Sequence, residues 1–328
     1  MNFAYLLRLA LLCCASFFLI YAAAALVAAM FVPAALGFAA GMKPRAAARF
    51  LHSVRVLPLI LSGLVTTALC VPSYLWLEPQ GTPEKVGLVC LFAALLTAAL
   101  WCVSLTRAAT AILRSGRWMR DLPKSHLEIC VAGAACHVSL LAVEAPLIGL
   151  TGLLRPQVVL SAKVLRALSA EQLHAALRHE HVHRIARDNF KRLLLLLAPA
   201  VWPFSGALAA LEREWLKLSE WAADDEATKG DARIRLELAA ALVCVAQLGI
   251  APRRPLLCTS LVADDRDLAA RVLRLIEGQA ASQAKKSPWY VQGLAGSAAL
   301  LAVCGTTAAF LRPATLYAVH RLLEYLVR

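Results

Sequence analysis

Three residues near the middle of the chain, His179, Glu180 and His183, form the pattern H-E-x-x-H. An α-helix turns by about 100° per residue, so positions i and i+4 lie within roughly 40° of each other on one face. Two imidazoles placed in this way can bind one zinc ion, and Glu180 lies close enough to act as general base on a zinc-bound water. Zinc lowers the pKa of that water, and a carboxylate completes its deprotonation for attack on a peptide carbonyl. The motif therefore predicts metal-dependent hydrolysis of peptide bonds.

A third ligand must come from elsewhere, because catalytic zinc sites usually have three protein ligands and one open position. Further along the chain, Glu220 and Asp224 form the pattern E-x-x-x-D, which places both carboxylates on one face of a helix. We expect Glu220 to complete the zinc site and Asp224 to hold the free ring nitrogen of a ligand histidine. The predicted site thus joins two helices.

Other histidines near the motif have simpler interpretations. His181 lies about 200° around the helix from His179, so we expect it to be packed or solvent-facing rather than a ligand. His126 and His174 could stabilise an oxyanion, but nothing in the sequence selects them over ordinary surface or core histidines. A chance H-E-x-x-H without metal is the alternative for the motif itself, and the downstream E-x-x-x-D disfavours it.

The composition indicates a membrane protein. Of the 328 residues, 60% are hydrophobic and 17% are charged, against about 25% charged in an ordinary soluble domain. The mean hydropathy is +0.66, which is more apolar than a single water-soluble core can hide. The formal net charge of +13 could indicate nucleic-acid binding. Because many of the basic residues flank apolar runs, we instead expect a lipid bilayer as partner and no direct nucleic-acid binding.

Four apolar runs approach or exceed the roughly 20 residues needed to cross the hydrocarbon core. We predict transmembrane helices at about 3–38, 56–77, 86–105 and 290–311, the first with a kink near Pro33. Basic residues follow the first and third runs, and an acidic loop follows the second. The positive-inside rule then places the protein in the inner (plasma) membrane with its N-terminus outside. The tail after the fourth run is outside by parity and has the spacing of an interfacial amphipathic helix.

The region between the third and fourth spans has soluble character and is long enough for one catalytic domain. We predict three parts: a membrane domain at 1–112, a cytoplasmic domain at 113–286, and the fourth span with its tail at 287–328. Strands are predicted at 127–131, 138–143 and 158–160. Helices are predicted at 170–187, 206–228, 232–248 and 264–276, the first opened by a capping box of Ser169 and Gln172. The apolar run 193–204 is too short to span and fits a buried, re-entrant or interfacial element.

Several segments together resemble the membrane metallopeptidases of the BlaR/MecR type, the β-lactam sensor-transducers and their standalone relatives. The resemblance covers the spans and about 145–227. It rests on A-P-L-I-G at 145–149, L-R-P-Q-V-V-L at 154–160, H-E-H-V-H at 179–183, R-D-N at 187–189 and E-x-x-x-D at 220–224. These motifs are more specific together than H-E-x-x-H alone.

The resemblance implies a mainly α membrane protein with an α+β zincin-like (gluzincin) domain inserted between the third and fourth spans. It implies Zn2+ as cofactor, with His179, His183 and Glu220 as ligands and Glu180 as the catalytic residue. It also suggests that the strand near Val158 pairs with an extended substrate. The sensor members carry an extracellular penicillin-binding domain after the fourth span. This sequence shows none, so we expect a signal to come from a separate sensor partner, a lipid or the spans.

Taken together, these features predict an integral-membrane zinc endopeptidase that acts on the cytoplasmic side. The expected substrate is a cytoplasmic transcriptional repressor, as in the sensor relatives, or the protein itself. A housekeeping membrane protease of the HtpX type is the enzymatic alternative, since it shares H-E-x-x-H and a downstream glutamate. A catalytically silent signalling scaffold, in which zinc only holds the domain together, is the alternative from another class.

Overall fold

The computed structural model describes residues 3–78, 86–121, 124–131, 134–143, 145–154, 156–199, 205–249, 257–261, 265–278 and 312–327. Within these ranges the chain is mainly helical, with one small sheet. Three helices are long and apolar enough to cross a membrane: Phe3–Met30, Pro44–Leu77 and Leu88–Arg120. These three helices make the chain a membrane protein, as its composition predicts. The predicted fourth span at 290–311 lies outside the described residues.

The membrane helices differ from the predicted spans mainly at their ends. α1 (Phe3–Met30) and α2 (Val32–Ala40) are separated at Phe31, beside Pro33, where a kink is predicted. α3 (Pro44–Val65) continues through a π-helical turn, Thr66–Cys70, into α4 (Val71–Leu77). α5 covers Leu88–Asp121. The basic residues beside the second and third spans therefore lie within α3 and α5, which is consistent with the high helix propensity of Arg.

The sheet contains five strands in the order β1-β2-β4-β3-β5. They are β1 (Lys124–Val131), β2 (Ala134–Leu141), β3 (Ile148–Thr151), β4 (Gln157–Ser161) and β5 (Cys258–Ser260). β4 pairs with β2 in parallel and with β3 antiparallel, so Val158 faces both Val138 and Leu150. The suggestion that the strand near Val158 pairs with a substrate is therefore wrong. Its backbone groups are already used within the sheet.

Among the described residues, seven helices accompany the sheet or follow it: α6 (Ala162–Ala167), α7 (Ala170–Ala186), α8 (Asp188–Leu197), α9 (Ser205–Thr228), α10 (Ala232–Gln247), α11 (Asp265–Glu277) and α12 (Pro313–Val327). The capping box predicted for α7 is present, with reciprocal hydrogen bonds between Ser169 and Gln172. The first residues of the apolar run at 193–204 are the last residues of α8. Residues 200–204 lie outside the described residues. α12, predicted as an amphipathic helix, buries Leu316 and Leu323.

Two cores position the helices that carry the motifs. Beneath the sheet, Val158 and Leu160 pack with Ala176 and Leu177 of α7 and with Leu242 of α10. A second core joins the membrane helices to α9, through Tyr21, Leu51, Leu208, Leu211 and Trp215. α9 therefore packs directly on α3, so the position of the E-x-x-x-D pattern depends on a helix long enough to span the membrane.

Polar contacts add to this attachment. The Tyr21 hydroxyl donates a hydrogen bond of 2.5 Å to the carbonyl oxygen of Pro199. Arg55 is 3% exposed and donates to Glu212 at 2.7 Å and to the carbonyl oxygen of Ala198 at 3.2 Å. A buried guanidinium is costly unless it is paired in this way. The end of α8 and the start of α9 are thus held by side chains from α1 and α3.

Candidate metal centre

α7 buries its H-E-x-x-H pattern completely. His179, Glu180 and His183 are all 1% exposed or less. The two imidazoles stand one turn apart with ring centroids separated by 4.7 Å, and their Nε2 atoms are 3.1 Å apart. This is the arrangement expected for two histidines at i and i+4 on one helix face. Both Nε2 atoms are therefore directed at one common point beside α7.

Glu220 of α9 faces the two histidines. Its Oε2 lies 3.4 Å from Nε2 of His179 and its Oε1 lies 3.6 Å from Nε2 of His183. One ligand atom from each of the three residues can be chosen so that all lie within 4.8 Å of one another. The structure thus brings together the three residues proposed from the sequence as ligands. Their role as ligands stays a prediction.

A carboxylate also contacts the Nδ1 atom of each histidine. Oδ1 of Asp224 lies 2.9 Å from Nδ1 of His179, where the sequence predicts it. Oδ2 of Asp188 lies 2.6 Å from Nδ1 of His183. In the neutral imidazole, a carboxylate on Nδ1 favours the tautomer with the proton at Nδ1, and the Nε2 lone pair is then available for a metal.

The sequence-based site did not include Asp188. This residue opens α8 immediately after Arg187, which adopts a left-handed conformation with φ of 54° and ends α7. The turn directs Asp188 back to His183, and Asn189 donates to the carbonyl oxygens of Leu150 and Gly152 in and beside β3. The R-D-N segment at 187–189, which follows the motif directly, is the sequence signal for this role.

Arg271 of α11 is the second residue missing from the sequence-based site. It is 4% exposed and donates to both carboxylate oxygens of Asp224, at 2.9 Å from Nε and 2.7 Å from Nη2. Its Nη1 lies 3.1 Å from Oε2 of Glu220 and donates to the carbonyl oxygen of Leu261 at 2.7 Å. One buried guanidinium therefore holds both acidic residues of the E-x-x-x-D pattern.

These contacts set the protonation of the site. Burial disfavours the imidazolium of His183, but the negative charges of Glu220 and Asp188 outweigh burial and raise its pKa to about 10. Burial would raise the pKa of Asp224, but Arg271 and His179 lower it to about 2. The pKa of Glu220 is well below its usual range, because His183 and Arg271 outweigh its burial. Burial raises the pKa of Glu180 above its usual range, against the lowering effect of His179 and His183.

The donor set fits a zinc ion. Among the described residues, neither oxygen of Glu220 accepts a hydrogen bond, although both are buried. Two imidazole nitrogens and one carboxylate converge, and each ring is oriented by an acidic partner. Zinc accepts this combination of nitrogen and oxygen ligands, and oriented rings are typical of such sites. A divalent cation would also relieve the close approach of the two Nε2 atoms.

The other predicted histidines do not join this site. Nδ1 of His181 lies 2.9 Å from Nη2 of Arg184, on a different face of α7. His174 lines a separate cavity near the start of α10 with Glu171 and Asp231. The side chain of His126 lies outside the described residues. The interpretation of His181 as a packed or solvent-facing residue agrees with its partial burial.

Comparison with known proteins identifies one matching family. Residues 74–275 match the family model described as BlaR1 peptidase M56. The matched segment is more than half of the chain and contains α7, α8 and α9 with every residue of the candidate centre. No curated protein matches the chain.

Proposed function

The chain belongs to the BlaR1 peptidase M56 family, and from this membership we propose that it is an integral-membrane zinc endopeptidase. At the coarser level, the family and the three apolar helices make it a membrane-associated metallopeptidase. Our proposal adds the metal, the residues and the substrate. We assign His179, His183 and Glu220 as zinc ligands, Glu180 as the catalytic residue and Asp224 as the partner of His179.

One observation carries this proposal. The Nε2 atoms of His179 and His183 converge with the Glu220 carboxylate in a buried space, while carboxylates occupy the opposite nitrogen of each ring. Two histidines with a purely structural role would not need their Nε2 atoms and a carboxylate to converge on one point. Glu180 lies between the two histidines in the sequence and is itself fully buried, and this burial raises its pKa, as is typical of catalytic carboxylates.

Bound zinc would supply a water of lowered pKa and would polarise the peptide carbonyl. The residues of the chain do the proton transfer and the positioning. Glu180 accepts a proton from the attacking water at its carboxylate, and it gives that proton to the leaving amine when the C–N bond breaks. The products are a new carboxylate and a free amine. Its raised pKa makes Glu180 a stronger base and brings it closer to neutral pH, where one group can both accept and return a proton.

The remaining residues keep the geometry fixed. Asp224 and Asp188 hold protons at the Nδ1 atoms of His179 and His183, so both Nε2 atoms stay directed at the centre. Arg271 keeps Asp224 and Glu220 ionised and oriented. Because the pairs are buried, they are little screened by solvent.

For the substrate, we propose a cytoplasmic repressor or the protein itself, cleaved by a catalytic domain at 113–286 on the cytoplasmic face. The basic residues around the second and third spans support this sidedness. A reporter inserted between residues 279 and 287 should read as cytoplasmic, and a periplasmic signal there would contradict the orientation.

The experiment compares the intact chain with Glu180→Gln in a membrane or a mild detergent. Both proteins should contain one zinc per chain, and only the intact chain should cleave itself or a candidate repressor. Glu171→Gln is the matched control, because it makes the same chemical change on an exposed residue of the same helix and should leave turnover unchanged. Equal turnover by the intact chain and Glu180→Gln would refute the mechanism. Zinc binding without turnover in either protein would favour the silent scaffold.

A further inference from the structure

A cavity of about 270 Å³ lies where the first turns of α3 meet α7, α8 and α9. It is smaller than the roughly 300–1,000 Å³ of typical pockets for drug-sized ligands. Its wall includes Asp188, so it reaches the outer side of the candidate metal centre. None of His179, Glu180 or His183 lines it.

The cavity does not open on the catalytic face of α7. At about 100° per residue, Glu180 lies roughly 100° around the helix from His179. Val182 and Ala186, which line the cavity, lie about 60° and 20° from His179 in the opposite sense. The lining residues Val182 and Ala186 therefore lie on the other side of His179 from Glu180, the proposed catalytic residue.

The polar lining favours an anion. Arg45, Arg49 and Lys191 contribute three positive charges, against two carboxylates, Asp188 and Glu226. Arg45 pairs with Glu226 at 2.9 Å, but with 57% and 44% of these side chains exposed the pair is worth little. Arg49 is exposed and has no ion pair with any described residue. At least one guanidinium is thus available for a ligand.

The rest of the lining favours an amphiphile over a free ion. Apart from Ser219, it is made of apolar side chains on α3, α7 and α9: Ala48, Val182, Ile185, Ala186, Ala222 and Ala223. Ile185 is 66% exposed at this place. The two arginines stand at the beginning of a helix long enough to cross the membrane, Pro44–Leu77. Basic residues beside the end of a membrane span attract anionic phospholipid headgroups, and basic pockets beside such helices bind them.

We propose that this cavity binds the phosphate of an anionic phospholipid, with Arg49 and Arg45 at the phosphate oxygens and the glycerol end against the apolar wall. The recognised chemistry is a phosphate anion, for which inorganic phosphate is the other source. The adjoining apolar wall favours the lipid.

The cavity is also connected to the metal centre. Lys191 lies at 2.7 Å from Oδ1 of Asp188, whose other oxygen lies at 2.6 Å from Nδ1 of His183. A phosphate that attracts Lys191 would weaken the ion pair between Lys191 and Asp188. Anionic lipid would in this way regulate the peptidase. This regulatory part rests on the proposed function, whereas the binding part does not.

The test measures lipid binding to the full chain in neutral detergent by native mass spectrometry. Phosphatidylglycerol, phosphatidylcholine and inorganic phosphate are added separately. Arg49→Gln is compared with Arg114→Gln, which removes an equally exposed arginine near the end of α5. By the alternation of consecutive spans, both arginines lie on the same side of the membrane. We expect the intact chain to prefer phosphatidylglycerol. Arg49→Gln should weaken its binding about tenfold, and Arg114→Gln should leave it unchanged.

Equal losses in the two variants would overturn the site, because they would mean diffuse attraction to a basic surface. Phosphate binding that needs Arg49, without preference for phosphatidylglycerol over phosphatidylcholine, would overturn the lipid assignment. The binding measurement needs no peptidase activity. Lipid binding can therefore fail while the proposed function holds, and the proposed function can fail while lipid binding holds. If both hold, self-cleavage by the intact chain should depend on phosphatidylglycerol, and that dependence should disappear in Arg49→Gln.

Discussion

Asp188 Oδ2 lies 2.6 Å from Nδ1 of His183, while its Oδ1 lies 2.7 Å from Nζ of Lys191. The residue after the C-terminus of the motif helix thus holds the last histidine of that helix. Asp224 does the same for His179 from another helix. Each proposed histidine ligand therefore has its own carboxylate, one close in sequence and one distant.

Replacing Asp188 should weaken zinc binding without abolishing it. Loss of such a partner typically costs about 10- to 100-fold in metal affinity. Asp188→Asn keeps an acceptor oxygen but removes the charge, so we expect about tenfold, and Asp188→Ala should cost more. Affinity can be measured by competition with a chelating dye. Asp225→Asn is the control, because Asp225 pairs with Arg274 away from the histidines. Equal affinities for Asp188→Ala and the control would contradict this role.

Removing zinc should lower the thermal stability of the protein, since a ligand that binds only the folded state stabilises it. The gain is about 2.7 kcal/mol when free zinc is 100 times its Kd. Adding a chelator to the intact chain should therefore lower Tm, and Glu220→Gln should reduce both the zinc content and this difference in Tm. Glu214→Gln, on the same helix but in a partly exposed pair with Lys217, should behave as the intact chain. A chelator effect of the same size in Glu220→Gln would count against Glu220 as a ligand.

Arg271→Met should be strongly destabilising, because it removes the buried guanidinium that pairs with the carboxylates of both Asp224 and Glu220. Breaking a buried pair by removing one partner typically costs about 3–5 kcal/mol. Thermal unfolding in detergent, with zinc removed, measures the change. Arg274→Met removes a neighbouring arginine whose pair with Asp225 is less buried, and about 1 kcal/mol or less is expected there. Similar losses in the two variants would show that Arg271 does not stabilise the acidic pair.

Zinc affinity should rise with pH. The pKa of His183 is about 10 in the metal-free protein, so this residue carries a proton at neutral pH. Zinc binds the neutral imidazole, and each binding event must therefore release that proton. The apparent affinity should increase about tenfold per pH unit for each proton released, at pH values below 10. Calorimetric titration between pH 6 and 8, in buffers of different ionisation enthalpy, counts the protons. Binding heats that do not depend on the buffer would rule out the release.

Local patterns in the sequence were enough to predict several features of the site. His179, Glu180 and His183 belong to one helix, and their relative positions follow from its period alone. The capping box of Ser169 and Gln172 likewise involves only neighbouring residues. The three apolar helices follow from composition and length. The ends of these helices could not be predicted, because basic residues occur in helices as readily as in loops.

The tertiary structure decided which groups surround these local elements. Helical spacing tells which face carries Glu220 and Asp224, but not which side chain meets that face. Arg271 lies 47 residues beyond Asp224 and reaches it only because α11 packs beside α9. Val158 is central rather than at an edge, since strand order depends on pairing between distant segments. The spacing of His179, Glu180 and His183 is thus a property of one helix, whereas the carboxylates and the arginine reach this motif only once the helices pack together.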